Sequence, residues 1–108
     1  MSRTFIAIKT NFEAIHCWPE CPIEDVAFLK NPHRHIFYVE MKWETTGDRQ
    51  IEFIRQKREV ENYIDWHLRG KDLGSMSCEA IAEKLAKMFE ADFVTVWEDN
   101  ENGAIYVS

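Results

Sequence analysis

From Thr4 to about His16, apolar and polar residues alternate in the way a half-buried strand requires. Ile6, Ile8, Phe12, Ala14 and His16 share one face, and Phe5, Ala7, Lys9, Asn11, Glu13 and Ile15 share the other. A second strand is predicted from about His33 to Thr45, with His33, His35, Phe37, Val39, Met41 and Trp43 on one face and Arg34, Ile36, Tyr38, Glu40 and Lys42 on the other. The segment between them, Cys17 to Pro32, holds all three prolines and reads as a loop with a short turn near Ile23–Phe28. A loop of that length in a small domain is more often functional than idle.

After the turn signal Thr46-Gly47-Asp48 the period changes from two to about 3.6. Between Gln50 and Leu68 an apolar stripe runs through Phe53, Ile54, Val60, Ile64, His67 and Leu68, while Arg55, Lys57, Arg58, Glu59 and Glu61 form a solvated face. Arg69-Gly70 ends this helix and Lys71–Gly74 is a loop. A second helix is predicted from Ser75–Ser77, either serine being a suitable cap, to about Glu90. Its packing face is Ile81, Leu85, Met88 and Phe89 with the small Ala80, Ala82 and Ala86. A hairpin closes the chain: Phe93–Glu98, a turn over Asp99–Gly103 containing an Asn-Gly signal, and Ala104–Val107. The order ββααββ predicts an α+β fold, a four-stranded antiparallel sheet with two helices on one face. Its other face and its long edges need a cover, and self-association supplies one.

The 108 residues fit one domain, 1–108, with a modest core. A hydrophobic content of 45 % and an aromatic content of 13 % suffice for that core without cross-links. The net charge of −6 argues against a general nucleic-acid binder, which carries a basic face to neutralise phosphates. No apolar run approaches the roughly 20 residues of a membrane span, and Met1–Thr4 opens no signal peptide. A cytoplasmic protein without membrane partners is expected. Three cysteines, an odd number, suggest no disulfide framework. Cys17 and Cys21 could form one arm of a zinc finger, but no second pair completes it.

The candidate chemistry lies in the histidines. His33 and His35 point to one strand face, roughly 6–7 Å apart along the strand. Pairing the first two strands as a hairpin brings His16 to them. Three imidazoles with a fourth position open are the ligand set of a catalytic zinc, which lowers the pKa of a bound water or polarises a carbonyl. Ordinary surface or half-buried histidines account for the same spacing, and on periodicity alone the two readings balance.

Several stretches resemble one family. Phe12-Glu13-Ala14-Ile15-His16 is similar to the F-x-A-x-H of the 6-pyruvoyltetrahydropterin and 6-carboxytetrahydropterin synthases, and His33-Arg34-His35-Ile36-Phe37 to their H-G-H-x-Y. Ile51-Glu52-Phe53, Ser77-Cys78-Glu79 and Val94-Thr95-Val96-Trp97-Glu98 resemble the family's later motifs, in the same order. The resemblance implies the tunnelling fold, in which subunits join their sheets into a barrel, here a trimer or hexamer. It implies zinc on His16, His33 and His35, and a dihydropterin substrate such as dihydroneopterin triphosphate, handled by lyase-type chemistry. It also implies that Glu79 and Glu98 lie near the pterin ring. A carboxylate with two oxygens suits a ring N–H beside an amino group. Without the resemblance, Glu98 is a solvated residue of an acidic loop and Glu79 a first-turn glutamate favoured by the helix dipole.

The departures concern catalysis. The family keeps a cysteine a few residues before its H-G-H; here Ala27–Pro32 contains none, and Cys21 lies twelve positions before His33. Cys21 or Cys17 would have to fold back over the site to replace it. The glycine between the histidines is Arg34, on the opposite strand face. The family's Asp-His pair is approximated by Asp65 and His67, and a core or interface histidine explains His67 equally well. Two functions follow: a zinc-dependent pterin synthase using Asp65, His67 or Cys21 to move protons, or a non-catalytic module holding a pterin-, guanine- or nucleotide-like ligand. In the second, Arg34, Arg55 and Arg58 are candidate phosphate contacts. A structural subunit that uses the fold only for assembly is a third.

Overall fold

Strands β1 (Thr4–His16) and β2 (His33–Thr45), 13 residues each, pair antiparallel from Thr4 opposite Thr45 to His16 opposite His33. The computed structural model describes residues 1–108. The strand alternation sets this register, because a slip by one residue would turn Lys9, Glu13 and Lys42 into the core. Strand β3 (Phe93–Glu98) pairs with β2, and β4 (Asn102–Val107) pairs with β3. The sheet order is β1-β2-β3-β4, wholly antiparallel.

Helices α1 (Phe53–His67) and α2 (Cys78–Phe89) cover the sheet face that carries Ile8, Phe12, Phe37, Val39, Met41, Val94 and Val96. Phe12 and Phe37 stack at its centre with ring centroids 5.2 Å apart. Trp43, buried at the far end, satisfies its indole N–H by donating to the Phe89 carbonyl at 2.9 Å.

Both helices sit as expected, but their buried stripes differ from the sequence reading. On α1 the contact is carried by Val60 and Ile64, continued by Leu68, each four residues from the last. Phe53 and Ile54, in the first turn, are each 53 % exposed, and His67 in the last turn is exposed as well. The helix meets the sheet through its second half, from Val60 to the C-cap Leu68. On α2 the buried positions are Cys78, Ile81, Ala82, Leu85 and Ala86, the spacing of one helical face. Met88 and Ala80 fall outside that face and are exposed. Of the candidate caps Ser77 serves, its hydroxyl accepting the Ala80 N–H at 3.1 Å.

The Asn-Gly pair belongs to β4 rather than to the turn: Asn102 opposes Glu98 and Gly103 opposes Trp97. The turn instead uses Asp99 and Asn100, both left-handed with φ of 51° and 60°, a conformation these two residue types tolerate. The proline-bearing loop contains a 3-10 segment, Glu24–Lys30, and is tied at its base by the Trp18 N–H to the Leu29 carbonyl. The edge of β1 is not open throughout. The linker between the helices runs beside its end, with Gly70 N–H donating to Glu13 C=O, Ile15 N–H to Lys71 C=O, Leu73 N–H to Ile15 C=O and Cys17 N–H to Gly74 C=O. No helix is long and apolar enough to cross a membrane.

The other sheet face has no helix over it. Phe5 and Phe93 pack edge to face there at 5.5 Å, and Trp97, Ile105 and Val107 are exposed. A barrel of several copies would bury this face. The mass in solution, measured by light scattering, is therefore expected to be a multiple of 12.8 kDa; a monomer at micromolar concentration would contradict that expectation.

Candidate metal centre

The pairing of β1 with β2 sets His16 directly across from His33, and the alternation of β2 puts His35 on the same face. The residue across from His35 is Ala14, small enough to leave space between the rings. Ring centroids are 4.6 Å apart for His16 and His33, 4.9 Å for His33 and His35, and 5.3 Å for His16 and His35. One nitrogen from each ring lies within 4.8 Å of the others.

Each Nδ1 faces an oxygen acceptor: Met76 C=O at 2.8 Å for His16, Asn31 C=O at 2.8 Å for His33, and Asp99 Oδ2 at 2.6 Å for His35. Such acceptors assign the proton to Nδ1 and leave Nε2 with its lone pair, the arrangement that metal-ligating histidines adopt. His16 is only 7 % exposed, and its Nε2 has no hydrogen-bond partner. Glu98 Oε2 approaches that nitrogen to 3.1 Å without hydrogen-bond alignment. A buried, unpartnered nitrogen beside two further imidazoles fits a divalent ion of the zinc type, for which neutral nitrogen donors are preferred ligands.

Asp99 is the one charged group among the three acceptors, and its second oxygen accepts the Ile36 N–H at 3.0 Å. Asp99→Asn keeps the acceptor for Ile36 but removes the carboxylate from His35. Zinc affinity, measured by competition with a chelator, is expected to fall about 10- to 100-fold. An unchanged affinity would mean that Asp99 does not orient the ring.

Glu98 enters from β3, opposite Phe37, with Oε1 3.7 Å from His35 Nε2. The adjoining His16 holds its carboxyl below the usual value, against the opposing effect of burial, with His35 and the Cys78 thiol adding to the lowering. His16 is raised in turn, by Glu98 first and by the Met76 carbonyl, against its burial.

An open cavity of about 540 Å³ adjoins the triad, within the size range of small-molecule sites. His16 and His33 form one end, Cys17, Trp18 and Leu29 a wall from the loop, and Ser75–Glu79 a wall from the start of α2. Glu98, Asn102 and Gly103 complete it from the hairpin. Both sequence-predicted carboxylates, Glu79 and Glu98, thus line the same cavity.

The remaining candidates lie elsewhere in this chain. Cys21 is buried inside its own loop, with Sγ 3.7 Å from the Ile23 carbonyl and 3.8 Å from that of Val26. Asp65 pairs with Arg69 at 2.6 Å on the outside of α1, and His67 packs on Tyr63 with ring centroids 4.6 Å apart. Arg34 pairs with Glu13 on the opposite sheet face. None of the four lines the cavity.

Two cysteines do line it: Cys17 and Cys78. Burial, with the Glu98 carboxylate next, pushes the Cys78 thiol up to about 12. At neutral pH that thiol is protonated and not a nucleophile. Iodoacetamide mapping of the native protein is expected to label half-buried Cys17 first and to spare Cys21 and Cys78 until unfolding; early loss of the Cys78 thiol would contradict this. Cys78 was visible in Ser77-Cys78-Glu79 and Cys17 in its place next to His16, but only the folded loop and helix bring both to one cavity.

No family's sequence profile matches the chain, and no curated protein matches it by sequence. Among solved structures, that of Caenorhabditis elegans 6-pyruvoyl tetrahydropterin synthase superposes with a TM-score of 0.81 at 15 % identity, over 100 % of this chain and 97 % of that one. The backbone likeness spans every element described above, and the chain therefore has the tunnelling fold of 6-pyruvoyl tetrahydropterin synthase.

Proposed function

We propose that this chain is a zinc-dependent, pterin synthase-like protein that holds a dihydropterin-type ligand in the cavity beside the histidines. The observation that carries the reading is the set of three imidazoles, each anchored through Nδ1, around a buried nitrogen with no hydrogen-bond partner. His16, His33 and His35 would hold the ion. When bound there, zinc supplies a Lewis acid for a ligand hydroxyl or carbonyl.

The protein's own groups divide the remaining work. Glu79, exposed on the cavity wall, is available to accept the paired N–H donors of a pterin or guanine edge. Glu98 already touches two imidazoles, which suits it to the ligand atoms nearest the ion, where it can accept a proton or a hydroxyl hydrogen bond. Trp18 and Leu29 offer apolar surface to a ring.

A second reading, a binding module that leaves its ligand unchanged, is favoured by one observation: Cys21, Asp65 and His67 lie away from the cavity. One experiment separates the two. Zinc-loaded protein is incubated with dihydroneopterin and with its triphosphate, and the small molecules are identified by mass spectrometry. An altered product supports the enzyme, bound ligand recovered unchanged supports the module, and no binding at all removes both.

A further inference from the structure

Glu98 stands against the triad with both oxygens turned to imidazoles: Oε2 is 3.1 Å from His16 Nε2, and Oε1 is 3.7 Å from His35 Nε2. Because each Nδ1 faces an oxygen acceptor, those Nε2 atoms present lone pairs rather than protons. A carboxylate has only lone pairs to offer in return. Acceptors held this close repel unless a cation lies between them. The contact with His16 lacks hydrogen-bond alignment, so a shared proton does not account for it.

An ion does. Four donors around a tetrahedral zinc, each about 2.0–2.1 Å from it, stand about 3.3 Å from one another. The two Glu98 contacts bracket that spacing. The ring nitrogens, within 4.8 Å of one another, would close in slightly around the same point. The fold holds the carboxylate there. Glu98 ends β3 opposite Phe37, whose neighbour on the same face of β2 is His35. From the returning strand, the Asn102 amide reaches Oε1 at 3.5 Å. All four side chains stand on adjacent strands of one chain, so the set is complete without a neighbouring copy.

We propose that Glu98 is the fourth ligand of the ion in the ligand-free protein, and that a ligand hydroxyl enters by displacing it. This rests on the functional reading above and adds a gate to its site. The three imidazoles suffice to hold the ion, while Glu98 tightens it and closes the position that a catalytic zinc keeps open. Once displaced, the carboxylate remains beside the entering hydroxyl and accepts its hydrogen bond.

The crystal structure of the zinc-loaded protein with an empty cavity tests the ligation. A Glu98 oxygen is expected about 2.0–2.2 Å from zinc. A water in that place, with the carboxylate turned away, overturns the proposal and leaves the functional reading standing; absence of zinc from the histidines removes both. In solution, Glu98→Gln is expected to weaken zinc about 10-fold or more in competition with a chelator, at least the loss that an orienting partner causes. Glu79→Gln removes the same charge from the same cavity and is expected to weaken it by no more than about 3-fold, the scale of an exposed charge pair. Equal losses would mean that Glu98 acts through charge alone, against the proposal. Displacement is read from the visible spectrum of the cobalt-loaded protein, which reports the donors around the ion. Dihydroneopterin, its binding followed by calorimetry, is expected to change that spectrum; an unchanged spectrum with the compound bound overturns displacement, and failure to bind removes it together with the functional reading.

Discussion

Zinc is expected to raise the melting temperature of the parent protein and to leave that of His16→Ala unchanged. Of the three imidazoles His16 alone is buried, at 7 % exposure, and its Nε2 has no hydrogen-bond partner. A buried polar atom left in that state costs on the order of 1–3 kcal/mol. An ion would remove the penalty, since coordination satisfies the nitrogen. In the metal-free state alanine removes it too, but gives up the Nδ1–H bond to the Met76 carbonyl and the contact with Glu98, so each protein is read against its own metal-free baseline. With metal the two diverge. Loss of a ligand should cost more than the roughly 100-fold that loss of an orienting partner costs. At a zinc concentration 100 times the parent dissociation constant, linkage stabilises the parent by about 2.7 kcal/mol and the variant by very little. Equal zinc-induced shifts in both proteins would show that His16 is not a ligand.

Gly103→Ala is expected to lower stability by about 3 kcal/mol or more, at the upper end of the cost of overpacking. A Cβ at this position would stand 1.9 Å from the Val96 carbonyl oxygen and 2.7 Å from the Trp97 Cα. Those atoms are backbone of the paired strand, so relief requires β3 and β4 to part rather than a side chain to turn. The damage falls next to Glu98, which opposes Asn102 in the same hairpin, and ligand binding should weaken with it. The histidines stand on β1 and β2, so zinc binding should survive in the fraction that remains folded. Urea unfolding of the two proteins measures the effect; a midpoint shift equivalent to less than about 1 kcal/mol would mean that the hairpin can open at little cost.

The parts legible in the sequence share a cause. Two 13-residue strands with strict alternation admit one register that buries Phe12 and Phe37 and exposes Lys9 and Lys42, and that register also assembles the histidines. Glu98 and Glu79 were singled out by motif resemblance, and both line the cavity. What was not legible depends on approach between distant segments. Phe53 and His67 lie near the angular stripe of α1, yet both are exposed, because the buried contact is carried by Val60, Ile64 and Leu68. The Asn-Gly pair mimics a turn, but close backbone contact with Val96 draws it into β4. Asp99 looks like one more acidic loop residue until its left-handed backbone is seen beside His35. Cys17 and Cys78 lie 61 positions apart and meet at one cavity only through the linker that ties β1 to the start of α2.

That linker has a geometric consequence for any ring of copies. The outward backbone groups of Glu13, Ile15 and Cys17 are already taken by Gly70–Gly74. A neighbouring sheet can therefore add to β1 only along its earlier part, from Thr4 to about Phe12, whereas the opposite edge, β4, is six residues long. Joined edge to edge, a neighbour's β4 would lie against that open part and not beside His16. The short segment that flanks His16 through Ile15 and Cys17 thus also limits where the next subunit could join.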